Sequence, residues 1–243
     1  MPELQASSFN RVSLTLSDGT SFAGVRGATT GGAKSTIGNS FSQVPQIIKD
    51  AGRGSGTFRV RRGFLKFDTS GISTTVSSAT ITFTSAVSSP DLNKMSIVRG
   101  TADGSALADF DAITGFNNSA TMSGNVTDLA AVPAADFSSN GLNDTITITL
   151  NATARGLMET ESELIMVLVS HEYDYLLVEP SSNGFFDMGF YGPTTGTTSR
   201  RPHIDYVAAA AGYGNDVIGV DSGDISKVIG VATADISKVI GVS

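Results

Sequence analysis

The chain has no cysteine and no tryptophan, and only 16% of its 243 residues carry charge. Without cysteine there can be no disulfide framework, no thiolate metal site and no cysteine nucleophile. Without tryptophan the strongest stacking platform for a sugar ring is missing. Long apolar runs are also missing. Stretches such as Leu164 to Val169 fall far short of the roughly 20 residues that span a bilayer, so no membrane insertion is expected. The opening residues Met1 to Ser8 show neither the basic nor the apolar region of a signal peptide, and folding in a cytoplasm is expected.

Glycine (27 residues), serine and threonine take the place of the missing charge. A surface made of hydroxyls and turns suits many short strands better than amphipathic helices. Ala79 to Thr84 alternates strictly, with Ala79, Ile81 and Phe83 expected inward and the threonines outward. Arg59 to Phe67, Met95 to Arg99 and Ile146 to Leu150 read as further strands, and so do Leu176 to Val178, Phe185 to Phe190 and Pro202 to Val207. Leu164 to Val169 is continuously apolar, the mark of a strand buried on both faces. Ala106 to Val132 has no clean period and reads as a long loop with a helical turn. Strands at short intervals without long helices predict an all-β protein, an antiparallel β-sandwich of jelly-roll type.

The two ends of the chain differ from this pattern. Residues 1–35 alternate weakly, turn at Asp18-Gly19 and run into a glycine-rich stretch, which predicts a basic arm or hairpin that anchors the body at 36–208. Residues 1–62 hold eight bases against Glu3, Asp18 and Asp50, a net of +5, whereas the whole chain carries −7. Either the basic end docks on something acidic, or the charges neutralise within one fold. Residues 209–243 form a linker followed by three related units that start at Val217, Val228 and Val239, 11 residues apart. The last two share Asp-Ile-Ser-Lys-Val-Ile-Gly-Val. Their apolar positions are Val217, Ile218, Val220, Ile225, Val228, Ile229, Val231, Ile236, Val239, Ile240 and Val242. Units this short bury little of their apolar face alone and need stacked neighbours. Pooling between chains is therefore expected, with a homotrimer favoured, or docking on a partner protein through 1–35 and 212–243.

Arg62-Gly63-Phe64-Leu65-Lys66-Phe67-Asp68, then Ser78-Ala79-Thr80-Ile81-Thr82-Phe83, and the closing Arg201-Pro202-His203-Ile204-Asp205-Tyr206-Val207 resemble the DNRLRE-type domain family. The resemblance spans roughly residues 36–208 and lies mostly in core positions. It implies a jelly roll similar to carbohydrate-binding modules of surface and appendage proteins, some of which recognise acidic polysaccharide. The terminal Ile-Ser-Lys-Val-x-Gly-Val units resemble those at the ends of many phage structural proteins. Together these resemblances imply a virion component assembled in the host cytoplasm, such as a fibre, spike or capsid decoration.

Patterns for chemistry are sparse. Glu159, Glu161 and Glu163 alternate before the apolar strand, which could place an acid/base pair on one face but fits a solvated rim better. His171 and His203 read as half-exposed strand residues. Nucleotide, hydrolase and zinc-protease motifs do not occur, and acidic turns such as Asp216 to Asp224 lack calcium-loop spacing, so no catalytic residue, cofactor or metal is expected. For a glycan, or equally for a subunit interface, the candidates are Arg59, Arg61, Lys66, Tyr173 and Tyr175. An isoelectric point near 4.7 argues against nucleic acid as a partner.

Overall fold

The computed structural model describes the chain except residues 1, 18–19, 39–40, 51–56, 88–93, 119, 132–134, 137–140, 210–226, 229–230 and 233–243. It divides into two units, Met1–Val207 and Ala208–Ser243. The first is an all-β antiparallel sandwich of jelly-roll type. Its elements in chain order are β1 (Glu3–Ser17), α1 (Phe22–Arg26), β2 (Ala33–Thr36), β3 (Phe41–Asp50), β4 (Thr57–Asp68), β5 (Val76–Thr84), β6 (Lys94–Arg99), β7 (Ala135–Asp136), β8 (Thr145–Thr149), α2 (Ala152–Thr160), β9 (Glu163–Ser170), β10 (Gly184–Tyr191) and β11 (His203–Ala208).

β4 is the hub. One of its edges runs along β1 from Phe67 to Thr57. Its other edge is shared, with β9 beside Gly63–Asp68 and β3 beside Thr57–Arg61. Further out, β6 pairs with β9 and β10 with β3. β1 changes layer along its length. Glu3 to Gln5 pair with β11, and after a register shift at Ala6/Ser8 the rest of the strand pairs with β4. The expectation of a separate N-terminal arm is corrected here. Phe9 and Val12 are fully buried and Leu14 is 8% exposed, so residues 3–17 form an interior strand of the body. The basic, weakly alternating sequence concealed this, because Arg11 and the serines share β1 with the core side chains. The stretch after Asp18-Gly19 forms α1 rather than a second strand, and its N-cap Ser21 accepts from the Gly24 amide at 3.1 Å.

Two clusters of apolar side chains fill the fold. The first lies between the layers, joining Phe9, Leu65, Phe67, Met166 and Leu168 to Ala79, Ile81, Phe83, Ile146, Ile148 and Ile204. The second lies on the opposite face of β4 and β9 and holds Val12, Val60, Phe64, Val167 and Val169 beneath Phe22, Val25, Phe110 and Met122. β9 is thus covered on both faces, as its unbroken apolar run predicts. Ala79, Ile81 and Phe83 point inward as expected, but Thr82 and Thr84 are buried as well. The expected helical turn lies at Leu107–Asp111. Leu176 to Val178 is not a strand: it follows a π-type turn over His171–Tyr175, and Leu177 takes a φ of 58°. The helix α2, which strand periodicity conceals, starts at Asn151, whose side chain accepts from the Ala154 amide at 2.9 Å.

A buried ion cluster ties the second apolar cluster together. Arg62 on β4 grips Asp174 with two bonds of 2.8 Å, Nε to Oδ2 and Nη2 to Oδ1. Arg26 at the end of α1 sets its Nε 3.3 Å from Oδ1 of the same carboxylate, and neither the arginines nor Asp174 exceed 1% exposure. The remaining donors go largely to backbone carbonyls: Arg62 Nη1 to Phe110 and Nη2 to Arg26, and Arg26 Nη1 to Ala120 and Asn117. Both guanidinium groups also lie over the Phe116 ring at 4.7 Å. Burial lowers the pKa of Arg26, with Asp174 opposing and Arg62 reinforcing the shift.

In the second unit, Lys227–Val228 and Val231–Ala232 form a short antiparallel ladder, with Val228 opposite Val231. The other repeat positions (Val217, Ile218, Val220, Ile225, Ile229, Ile236, Val239, Ile240, Val242) lie outside the described residues, as does Asp216 to Asp224. Asp174→Ala leaves two guanidinium groups buried without a counter-ion and is expected to remove about 3–5 kcal/mol of stability. Arg26→Met leaves a neutral Arg62–Asp174 pair, so its loss in urea denaturation should be the smaller. Equal losses would show that charge balance is not what holds this cluster.

Candidate functional site

The register of β1, β4, β3 and β10 assembles a polar face beyond the inter-layer core. One row across the strands is Ser13, Arg61, Gln46 and Asp187. The next is Thr15, Arg59, Ile48 and Phe185. Arg11 stands two residues from Ser13 on the same side of β1, opposite Gly63. On this face the apolar series of Phe9, Leu65 and Val44 gives way to three arginines.

The arginines repel one another at short range. Burial, helped by the charges of Arg11 and Arg59 and opposed by Asp187, lowers Arg61 to about 10, so it is charged at neutral pH at a cost to stability. Arg11 is lowered too, by burial and then by Arg59. Arg59 Nε donates to Thr15 Oγ1 at 2.7 Å, which holds that guanidinium across the ladder. Beside it, Gln46 is 1% exposed and donates through Nε2 to Asp187 Oδ2 at 2.9 Å. Gln46 Oε1 and Arg61 Nε are buried atoms with no hydrogen-bond partner among the described residues. Phe185 stands 62% exposed opposite Ile48. Cationic donors and an exposed ring therefore share one face, a set of groups suited to a ligand carrying acidic groups.

The other expected site residues lie elsewhere. Lys66 falls on the alternate face of β4, with Nζ 3.2 Å from Glu163 Oε1 and 3.8 Å from Asp103 Oδ2, and it lines a shallow polar groove with Ser7, Asp68 and Glu163. Tyr173 is half-buried against Phe186, ring centroids 4.9 Å apart, and burial and Glu172 raise its phenol. Tyr175, expected on an exposed face, is 3% exposed. Its hydroxyl donates to Asp128 Oδ2 at 2.9 Å, its ring stacks on His171, and burial and Asp128 push it up to about 12. It is a core residue, because the turn at 171–175 tucks it under the second apolar cluster.

The three glutamates do not share a strand face as their spacing predicts. Glu159 is on α2 and accepts from the Val76 amide, Glu161 ends that helix and pairs with Arg99, and Glu163 begins β9 beside Lys66. His171 opens the π-type turn rather than lying in a strand, and its Nδ1 lies 2.8 Å from Ser96 Oγ. Sequence spacing singles out Arg59 and Arg61, whereas Arg11, Gln46, Asp187 and Phe185 join them only through strand pairing. No family model matches the chain, and no curated protein matches it.

Arg61 carries its charge against burial and two like neighbours, and this penalty is present at every pH below about 10. Arg61→Gln is therefore expected to raise Tm at pH 7 in a thermal melt. A variant of equal or lower Tm would contradict the electrostatic account of this face.

Proposed function

We propose that the protein is a non-enzymatic structural protein of a phage virion, which self-assembles through its C-terminal repeats and displays the jelly-roll body. The observation that carries this reading is the repeat itself. Three β-prone apolar units, 11 residues apart and nearly identical in the last two, follow a body that has its own complete core. Such units gain burial by pooling between copies, and a homotrimer is the simplest closed assembly of this kind. The resemblance of the repeats to phage structural termini, and of 36–208 to the DNRLRE-type domain, supports a displayed module of a fibre, spike or capsid decoration. The three glutamates, each engaged with a different partner, give no support to glycoside hydrolysis.

A second reading is favoured by the arginine face. The body would act as an adhesin module for an acidic polysaccharide of a host surface, with Arg59 and Arg61 pairing carboxylates and Phe185 offering a flat apolar surface. The two readings are compatible, since a displayed module can also attach. Lys66 stands apart from this face, and a role for it belongs to the interface alternative.

Assembly is tested by light scattering on the full chain and on a variant with Val228, Ile229, Val239 and Ile240 changed to serine. The unaltered chain should run as a trimer or larger species and the variant as a folded monomer. An unchanged oligomer would remove the assembly role of the repeats. For the adhesin reading, Arg59→Glu with Arg61→Glu should lower retention on immobilised polyuronate more than tenfold, given about 1.5–3 kcal/mol for each charged hydrogen bond. A glycan array on which the unaltered chain binds nothing would eliminate that reading.

A further inference from the structure

We propose that Glu3, His203 and Asp205 form a binding site for a divalent transition-metal ion, zinc or a first-row ion of similar preference, on the ladder that joins β1 to β11. Glu3 lies directly opposite Asp205, and Gln5 opposite His203, so all four side chains share one face of the two strands. The opposite face carries Ile204, which is fully buried, and Leu4, which packs on the inter-layer core. Both strands are therefore anchored from behind, and the three candidate ligands stand on a firm base.

The donor atoms of the three residues lie within 4.8 Å of one another. Ligands held at about 2.1 Å from a common ion stand roughly 3–4 Å apart, so closing on an ion needs only side-chain adjustment. His203 Nε2 and Asp205 Oδ2, at 3.5 Å, already have that separation.

The tautomer of His203 gives the site its chemical direction. Its Nδ1 lies 2.8 Å from the backbone carbonyl of Arg201. A carbonyl only accepts, so Nδ1 carries the hydrogen, which leaves Nε2 as the ring atom that faces the two carboxylates and can ligate an ion. Three acceptor atoms then converge, and only a proton or a cation satisfies them together. The Glu3 carboxylate is held in turn by the side-chain amide of Gln5. One imidazole nitrogen with carboxylate oxygens suits zinc, cobalt, nickel or manganese. Calcium and magnesium favour all-oxygen shells.

The ligands come from the first strand of the body and from its last, just before the second unit begins at Ala208. An ion here clamps the two ends of the body's chain together. Sequence spacing conceals the site because Glu3 and His203 are separated by nearly the whole body.

The test uses the full chain stripped with chelator and titrated in parallel with zinc, calcium and magnesium, with thermal unfolding as one readout and the visible spectrum of added cobalt as another. At a hundredfold excess over Kd, zinc should raise Tm by about 5 °C or more. Cobalt should give ligand-field bands. His203→Gln and Asp205→Asn should lose both effects while keeping the metal-free Tm near that of the unaltered chain, and His171→Gln should keep both. The assignment is overturned if neither zinc nor cobalt produces a signal, if the signals survive in His203→Gln, or if calcium matches zinc.

Discussion

Asp174 carries the negative charge that lets Arg26 and Arg62 sit where water does not reach. Isolated ions of this kind are costly to bury, and the guanidinium groups are accommodated because carboxylate, carbonyls and aromatic faces surround them. The contacts join α1, β4, the 3-10 turn at Leu107–Asp111, the loop that carries Phe116 and the π-type turn at His171–Tyr175. Those same segments roof the outer face of β4 and β9. The ion cluster is thus the fastening of a third layer of side chains over a sheet whose other face already packs on the inter-layer core.

Once both faces of that sheet are covered, the placement of the remaining arginines follows. Successive residues of β4 point to opposite sides, so Arg62 turns into the roofed cluster while Arg59 and Arg61 turn to the other face. Near Leu65 and Phe9 that face is core. Towards Thr57 it becomes the polar row of Arg61, Gln46 and Asp187. One strand thereby supplies a buried structural cation, two cations of the polar face and the apolar knobs Phe64 and Phe67. β1 plays the matching role, crossing from the β11 ladder to the β4 ladder, and its first residues bring Glu3 beside His203 and Asp205.

This division of labour agrees with the proposed display role. A body with its own complete core can present the arginine face unaided, and under the proposed function the repeats would serve the joining of copies. The charge asymmetry also finds a physical account inside the body. Of the bases in residues 1–62, Arg26 and Arg62 share the carboxylate of Asp174, Lys49 pairs with Glu179, and Arg11, Arg59 and Arg61 lie on one face. Internal ion pairing and a basic face coexist.

Much of the fold was legible in the sequence, since period-two alternation is a local property of the pleat. Ala79 to Phe83, Ile146 to Ile148 and the unbroken run at Leu164 to Val169 declare strands and even their burial. Where a local pattern was ambiguous, as in residues 1–35 or Leu176 to Val178, the reading failed, because membership of a sheet depends on which strand lies alongside. The recurrence of Asp-Ile-Ser-Lys-Val-Ile-Gly-Val is likewise a fact of sequence alone. Tertiary structure alone decided which charges meet. Arg62 and Asp174 stand 112 positions apart, Gln46 and Asp187 141, and no spacing rule links them. Composition and alternation are written along one segment at a time, whereas an ion pair, an arginine row or a metal site exists only after strands from distant parts of the chain have fixed their register.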